Sequence, residues 1–305
     1  GLRVRRLSDD KRWWCKSTLK VHKVYGFLEW ICKEELVKMT LIVGWLACDQ
    51  RGPCSAYIAS DSRISDNRNF YDYSQKTFAL KNTPDILGYC GETLFTYQIL
   101  TRLTSMCDVG MLLSTDMDYQ DRSEIIFNEI KRAHSVYKLN NGIIKIYHIG
   151  RNKKRIFDAN VYFWNGIIWE NIKIYTDFRK SMNLFSDGSG KKEYDENFLR
   201  FKNGNNESTS RNYFHCFCDI VKNVKDKHTG GIPQLVGLYN GSKFNGMYHG
   251  TIVDGQAYYQ GLKMGNVYGM SNIRWYNENF EICDWNTKQR EANAMVQPIS
   301  KRATP

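Results

Sequence analysis

The chain has 305 residues, 42% of them hydrophobic and 25% charged, which leaves room for one large domain with a sizeable core and excludes the apolar-poor composition of a disordered chain. No run of eighteen apolar residues occurs, so no membrane-spanning helix is expected, and no stretch has the form of a secretory signal. The net charge of +11 is front-loaded: residues 1–38 carry +5, which leaves +6 scattered over the other 267 and disfavours a nucleic-acid partner.

Asp9 and Asp10 fit poorly with an organelle-targeting peptide, whose composition is acid-poor. The nine cysteines include no C-x-x-C pair, the closest being Cys48/Cys54 and Cys216/Cys218. They read as reduced, mostly buried thiols of a cytoplasmic protein. Histidines are few and form no metal-binding motif, so neither a metal nor a cofactor is expected.

Along the chain, residues 1–38 are basic and Trp-rich with no clear period. From Thr40 the run Thr-Leu-Ile-Val-Gly-Trp-Leu-Ala reads as a buried strand, and 56–59 pairs with it in a hairpin broken at Arg51-Gly52-Pro53. Further strands are expected at 76–80 and 86–90. Two helices follow, one carrying Phe95, Ile99, Leu103 and Met106, the next Ile126, Ile130, Ala133 and Tyr137 at helical spacing. Strands return at 143–148, 161–164 and 167–175, the last two around the Asn165-Gly166 turn. Residues 186–190 read as a loop opening a polar helical region. An amphipathic helix then carries Tyr213, Phe217, Ile220 and Val224, and strands at 235–239, 251–253 and 257–259 follow. This order is α+β with antiparallel connections, without an internal repeat.

Met39-Thr40-Leu-Ile-Val-Gly44, followed by Ile58-Ala59-Ser60-Asp61-Ser62-Arg63, resembles the opening of proteasome β-subunit-type N-terminal-nucleophile hydrolases and their bacterial proteasome-like relatives. Lys76, Gly91, Gly188-Ser189-Gly190 and Asp226-Lys-His-Thr229-Gly230-Gly231 occur in the same order as that family's other blocks. The resemblance spans roughly 39–260. It implies a four-layer αββα sandwich of two antiparallel sheets and a threonine-type peptidase or amidohydrolase acting on a peptide or amide substrate without a cofactor. Homo-oligomers are compatible with it, an ATPase partner is left open, and no membrane is involved.

The implied chemistry suits the residue types. A threonine hydroxyl needs a base, and the α-amine of an N-terminal Thr40, with a pKa of about 8, can serve as one. By the resemblance, Lys76 stands beside that hydroxyl, Asp61 neutralises Lys76, and Gly91 offers an N–H to the tetrahedral oxygen. Ser189, Asp226 and Thr229 orient the amine. Ile64, Tyr89 and Thr93 line a pocket for a mid-sized apolar side chain. Taken singly, each block also reads as strand, edge or turn chemistry.

Departures from the family pattern are a first hairpin about five residues longer through 50–54, Thr229 where a serine is usual, and a long 109–180 section that counts against ring assembly. Three domains follow: 1–39 as a leader or propeptide, 40–285 as the hydrolase domain, and 286–305 as a loose tail. Thr40 becomes N-terminal either by autolysis after Met39 or because Met39 is the initiator, the route favoured by the purine-rich codons available to Lys33-Glu34-Glu35. If the extension stays, the chain is inactive. The other function class weighed is a non-catalytic proteasome-like structural or interaction subunit. Nucleic-acid binding through 1–38 is a third.

Overall fold

The computed structural model describes residues 40–65, 69–139, 142–177, 179–201, 209–223, 225–241, 245–265 and 273–294. The chain divides after Val37, and every element below belongs to the second unit. The expected 1–39 extension, Val224 of the fourth helix and the last eleven residues of the tail lie outside the described residues.

β1 (Leu41–Asp49) and β2 (Gly52–Ser60) form a hairpin closed by two residues, with a register shift between Ala47 and Cys48. The residues that lengthen this hairpin thus extend its strands, and Pro53 sits within β2 opposite Cys48. β1 is buried through Ala47 because both of its faces are covered. Leu41, Val43 and Trp45 face a core built with Tyr194 of α3 (Lys191–Phe201) and with Tyr213, Phe214, Phe217 and Ile220 of α4 (Ser210–Asn223). Ile42 points the other way, toward Gly88 of β6 (Asp85–Gly91), where an added Cβ would fall 2.7 Å from its Cδ1.

β5 (Thr77–Leu80), β6, β7 (Ile144–Arg151), β8 (Phe157–Trp164) and β9 (Trp169–Ile174) make a five-stranded antiparallel sheet. α1 (Thr93–Asp108) and α2 (Tyr119–Ser135) pack on it through Phe95, Ile99, Leu103, Ile126 and Ile130. Each helix starts on an acidic cap: the Glu92 carboxylate accepts N–H bonds from Leu94 and Phe95, both 2.9 Å, and Asp118 accepts one from Tyr119 at 2.8 Å. The expected turn at Asn165-Gly166 joins β8 to β9, with Asn165 Oδ1 accepting the N–H groups of Ile167 and Ile168.

The four-layer αββα sandwich of two antiparallel sheets is corrected by these strands. Among the described residues there are three sheets, and strands dominate over four helices. The largest sheet has nine strands, in the order β10 (Met182–Gly188), β1, β2, β11 (Gln234–Tyr239), β12 (Met247–Val253), β13 (Gln256–Tyr259), β14 (Leu262–Lys263). β15 (Trp275–Asn277) pairs parallel with β12, and β16 (Ile282–Cys283) closes on β15, so the sheet is mixed. The third sheet is the short pair β3 (Ile64–Ser65) and β4 (Phe70–Tyr71). The physical reason for the difference is the segment after Tyr259, whose two- and three-residue strands carry no periodic signal and add β14 beyond β13 and the parallel β15 onto β12.

Candidate functional site around Thr40

Thr40 stands immediately before β1, is 2% exposed, and has φ +101, a conformation rare for a β-branched residue. Its backbone N–H donates to the His228 carbonyl at 3.4 Å. Asp61 follows β2, Lys76 precedes β5, and the two are fully buried.

The Lys76 ammonium donates to Thr40 Oγ1 at 2.6 Å, to Asp61 Oδ1 at 2.9 Å and to the Arg63 carbonyl, so all three of its protons are placed. Asp61 is held in turn by the N–H groups of Leu41 on Oδ1 (3.1 Å) and Gly230 on Oδ2 (3.0 Å). Burial drives Lys76 below its ordinary pKa, opposed by the Asp61 charge. Burial likewise pushes Asp61 up, opposed by Lys76 and the two N–H donors.

Ser189 Oγ lies 3.1 Å from Thr229 Oγ1, which donates to Asp226 Oδ2 at 3.1 Å. Gly188 at φ +94 is pressed against Thr40, and a Cβ there would meet the Thr40 carbonyl oxygen at 2.0 Å. Gly91 ends β6 at φ +100, where a Cβ would fall 2.1 Å from the Ile143 carbonyl oxygen, so only glycine fits.

The structure therefore joins Thr40, Lys76 and Asp61 in one hydrogen-bonded set and Ser189, Thr229 and Asp226 in a second. The expected pocket trio is split. Ile64 and Thr93 line an open cavity of about 660 Å³ together with Tyr71, Tyr73, Tyr97 and Tyr259. Tyr89 does not line it: the residue is wholly buried in the core between the five-stranded sheet and α1/α2. The cause is the two-residue period of β6, which turns Leu87 and Tyr89 to the helices and Gly88 to the other sheet.

Several contributors were not read from the sequence. Arg63 forks onto Asp72 at 2.7 and 2.9 Å and donates to the Lys227 and Thr229 carbonyls, tying the 227–230 loop to the β3–β4 segment. Gln234 Oε1 accepts the Lys76 N–H at 2.9 Å. Asp187 bridges to Lys145 and Tyr147. Among the described residues, no three His, Cys, Asp or Glu side chains stand together as a metal site, and no helix is long and apolar enough to cross a membrane.

No family model matches the chain, and no curated protein does. Among solved structures it is similar to a Gly-1 mutant of Anbu from Hyphomicrobium sp. strain MC1, at 13% identity and a TM-score of 0.47, over 68% of this chain and 86% of that one. Those values are too low to carry a functional conclusion. With no family model and no curated protein matching, the family assignment is corrected: the proteasome β-subunit-type resemblance rests on short local blocks, and the chain as a whole does not bear it out.

Proposed function

We propose that the chain is a threonine-type hydrolase of peptide or amide bonds, with Thr40 Oγ1 as nucleophile once the residues before it have been removed. The observation that carries this reading is the fully buried Lys76 ammonium, 2.6 Å from the Thr40 hydroxyl and neutralised by Asp61. A buried ion pair is weak value for stability alone, whereas a fixed cation against a hydroxyl oxygen stabilises the developing alkoxide.

In this reading the freed Thr40 amine takes the hydroxyl proton, directly or through one water, and Oγ1 attacks the substrate carbonyl carbon. The Lys76 charge keeps that amine from being over-protonated. The Gly91 N–H faces the tetrahedral oxyanion; its collapse breaks the C–N bond, and the amine's proton leaves with the departing nitrogen. Water then attacks the Thr40 ester, releasing the acid and restoring the hydroxyl. Ser189, Thr229 and Asp226 orient the amine through their hydrogen-bonded chain.

The test is turnover of a peptide-amide library by protein whose N-terminus is Thr40. Thr40→Ala is expected to lower the rate by at least ~10³-fold, while Thr40→Ser retains part of it. Cleavage indifferent to Thr40→Ala would overturn the reading.

A further inference from the structure

The loop that presses on Thr40 is held from the opposite sheet by a second charged group. Asp187, near the end of β10, uses Oδ1 to accept the Gly188 N–H at 2.7 Å. Its Oδ2 accepts the Lys145 ammonium at 2.7 Å and the Tyr147 hydroxyl. Lys145 and Tyr147 lie two apart on β7 and so share a face. Asp187 is paired with Ile42, the β1 residue that points at the five-stranded sheet. The three side chains thus meet between the two sheets.

The position is specific to the site. Lys145 is the β7 partner of Cys90, next to the Ile144 partner of Gly91, while Gly188 is the β10 partner of Leu41. Cys90 lies within the field of both ion pairs: burial first, then the Asp187 charge, push its thiol up, while Lys145 and Lys76 oppose. The Tyr147 phenol is also raised by burial, which keeps it a donor to the carboxylate. Lys145 and Asp187 are 20% and 16% exposed, shielded enough for the pair to hold its geometry.

We propose that Asp187, gripped by Lys145 and Tyr147, is a positioning residue of the Thr40 site that fixes the Gly188-Ser189-Gly190 loop against the nucleophile. The carboxylate joins the β7 face beside Gly91 to the loop that carries Ser189, so oxyanion glycine and amine-orienting hydroxyl are set by one contact. Its kinetic consequence rests on the hydrolase reading; its structural consequence does not.

Two readouts separate these. In the full chain, amide hydrogen exchange followed by mass spectrometry should quicken at residues 188–190 in Lys145→Met and in Asp187→Asn, with the sheet peptides around β1 unchanged. In protein with Thr40 at its N-terminus, the rate of Thr40 labelling by a peptide epoxyketone should fall by about tenfold or more in each variant, since small misplacements of a reacting group cost that much. The double variant should lose no more than either single one, and Lys145→Arg should recover most of the rate where Lys145→Met does not. Wild-type exchange at 188–190 in the variants refutes the positioning role even if wild type labels normally. So do additive losses or an equal loss in Lys145→Arg. If wild type does not label at all while exchange quickens as expected, the hydrolase reading fails and the loop anchor stands.

Discussion

Asp61→Asn isolates what the buried pair does. Asp61 Oδ1 receives both the Lys76 ammonium and the Leu41 N–H, while Oδ2 receives the Gly230 N–H. An asparagine has one carbonyl oxygen for these two places. If the oxygen faces Lys76, the amide NH₂ meets the Gly230 N–H. If it faces Gly230, the NH₂ meets an ammonium with no opposite charge. Either orientation leaves a buried donor unpaired, and Lys76 loses its counter-charge. Removing one partner of a buried pair costs about 3–5 kcal/mol. For a domain of this size that corresponds to a melting temperature lower by about 6–20 °C. Thermal unfolding at pH 7, followed by calorimetry and far-UV circular dichroism, measures it. The companion variant Asp61→Leu/Lys76→Met removes both charges and is expected to recover most of the stability while abolishing reaction at Thr40. Asp61→Asn melting within ~2 °C of wild type would refute the assignment of Asp61 as Lys76's neutralising partner.

Three further outcomes follow from the geometry. Burial pushes the Asp85 carboxyl up, but His148 at 2.9 Å and Arg122 at 2.6 Å outweigh it and hold the pKa below its ordinary value. A depressed folded pKa contributes stability above the unfolded value of about 3.9 that is lost as pH falls through the folded one. Asp85→Asn should therefore cost about 3–5 kcal/mol at neutral pH and flatten the acid limb of the stability curve, read from urea melts between pH 2 and 7. Gly91→Ala forces a Cβ to 2.1 Å from the Ile143 carbonyl oxygen at φ +100. It should destabilise by about 1–3 kcal/mol and suppress turnover beyond that loss, checked by comparing melts with rates. Burial lowers the Lys76 pKa, so the rate of Thr40 acylation should fall on its alkaline side below the pH at which a free lysine titrates, about 10.4, in a stopped-assay pH series.

What was legible in the sequence follows from periodicity and from local chemistry. The β1–β2 hairpin, the stripes of α1, α2 and α4, and the turn at Asn165-Gly166 all carry strong short-range signals and stand close to where their patterns place them, though Gly52 and Pro53 lie inside β2 and Tyr137 lies past the end of α2. Asp61 and Lys76 are singled out in the sequence only by the local resemblance of their blocks, and the fold brings both side chains into one hydrogen-bonded set with Thr40. β10 was not found, since Asn183, Ser186, Asp187 and Gly188 spell a loop; it is a strand because β1 supplies a ladder partner for nearly every residue. Tertiary pairing there overrides propensity. β14 to β16 are too short to have a period, and the parallel β12–β15 pairing has no local signature. Tyr89 was assigned to the pocket by resemblance alone, and the alternation of β6 takes it to the helix side. Asp187 is some forty residues from Lys145 and Tyr147 and belongs to a different sheet, so only the folded chain brings the three together.

The central claim is that Thr40 Oγ1 is a nucleophile activated by Lys76. Its most direct test is intact-mass and peptide-mapping spectrometry of protein beginning at Thr40, incubated with a peptide epoxyketone that must react with both the hydroxyl and the free amine. The account predicts one equivalent of adduct on Thr40 in wild type, and none in Thr40→Ala or Lys76→Met. No adduct on a Thr40 whose amine is shown to be free, or undiminished adduct in Lys76→Met, would contradict it.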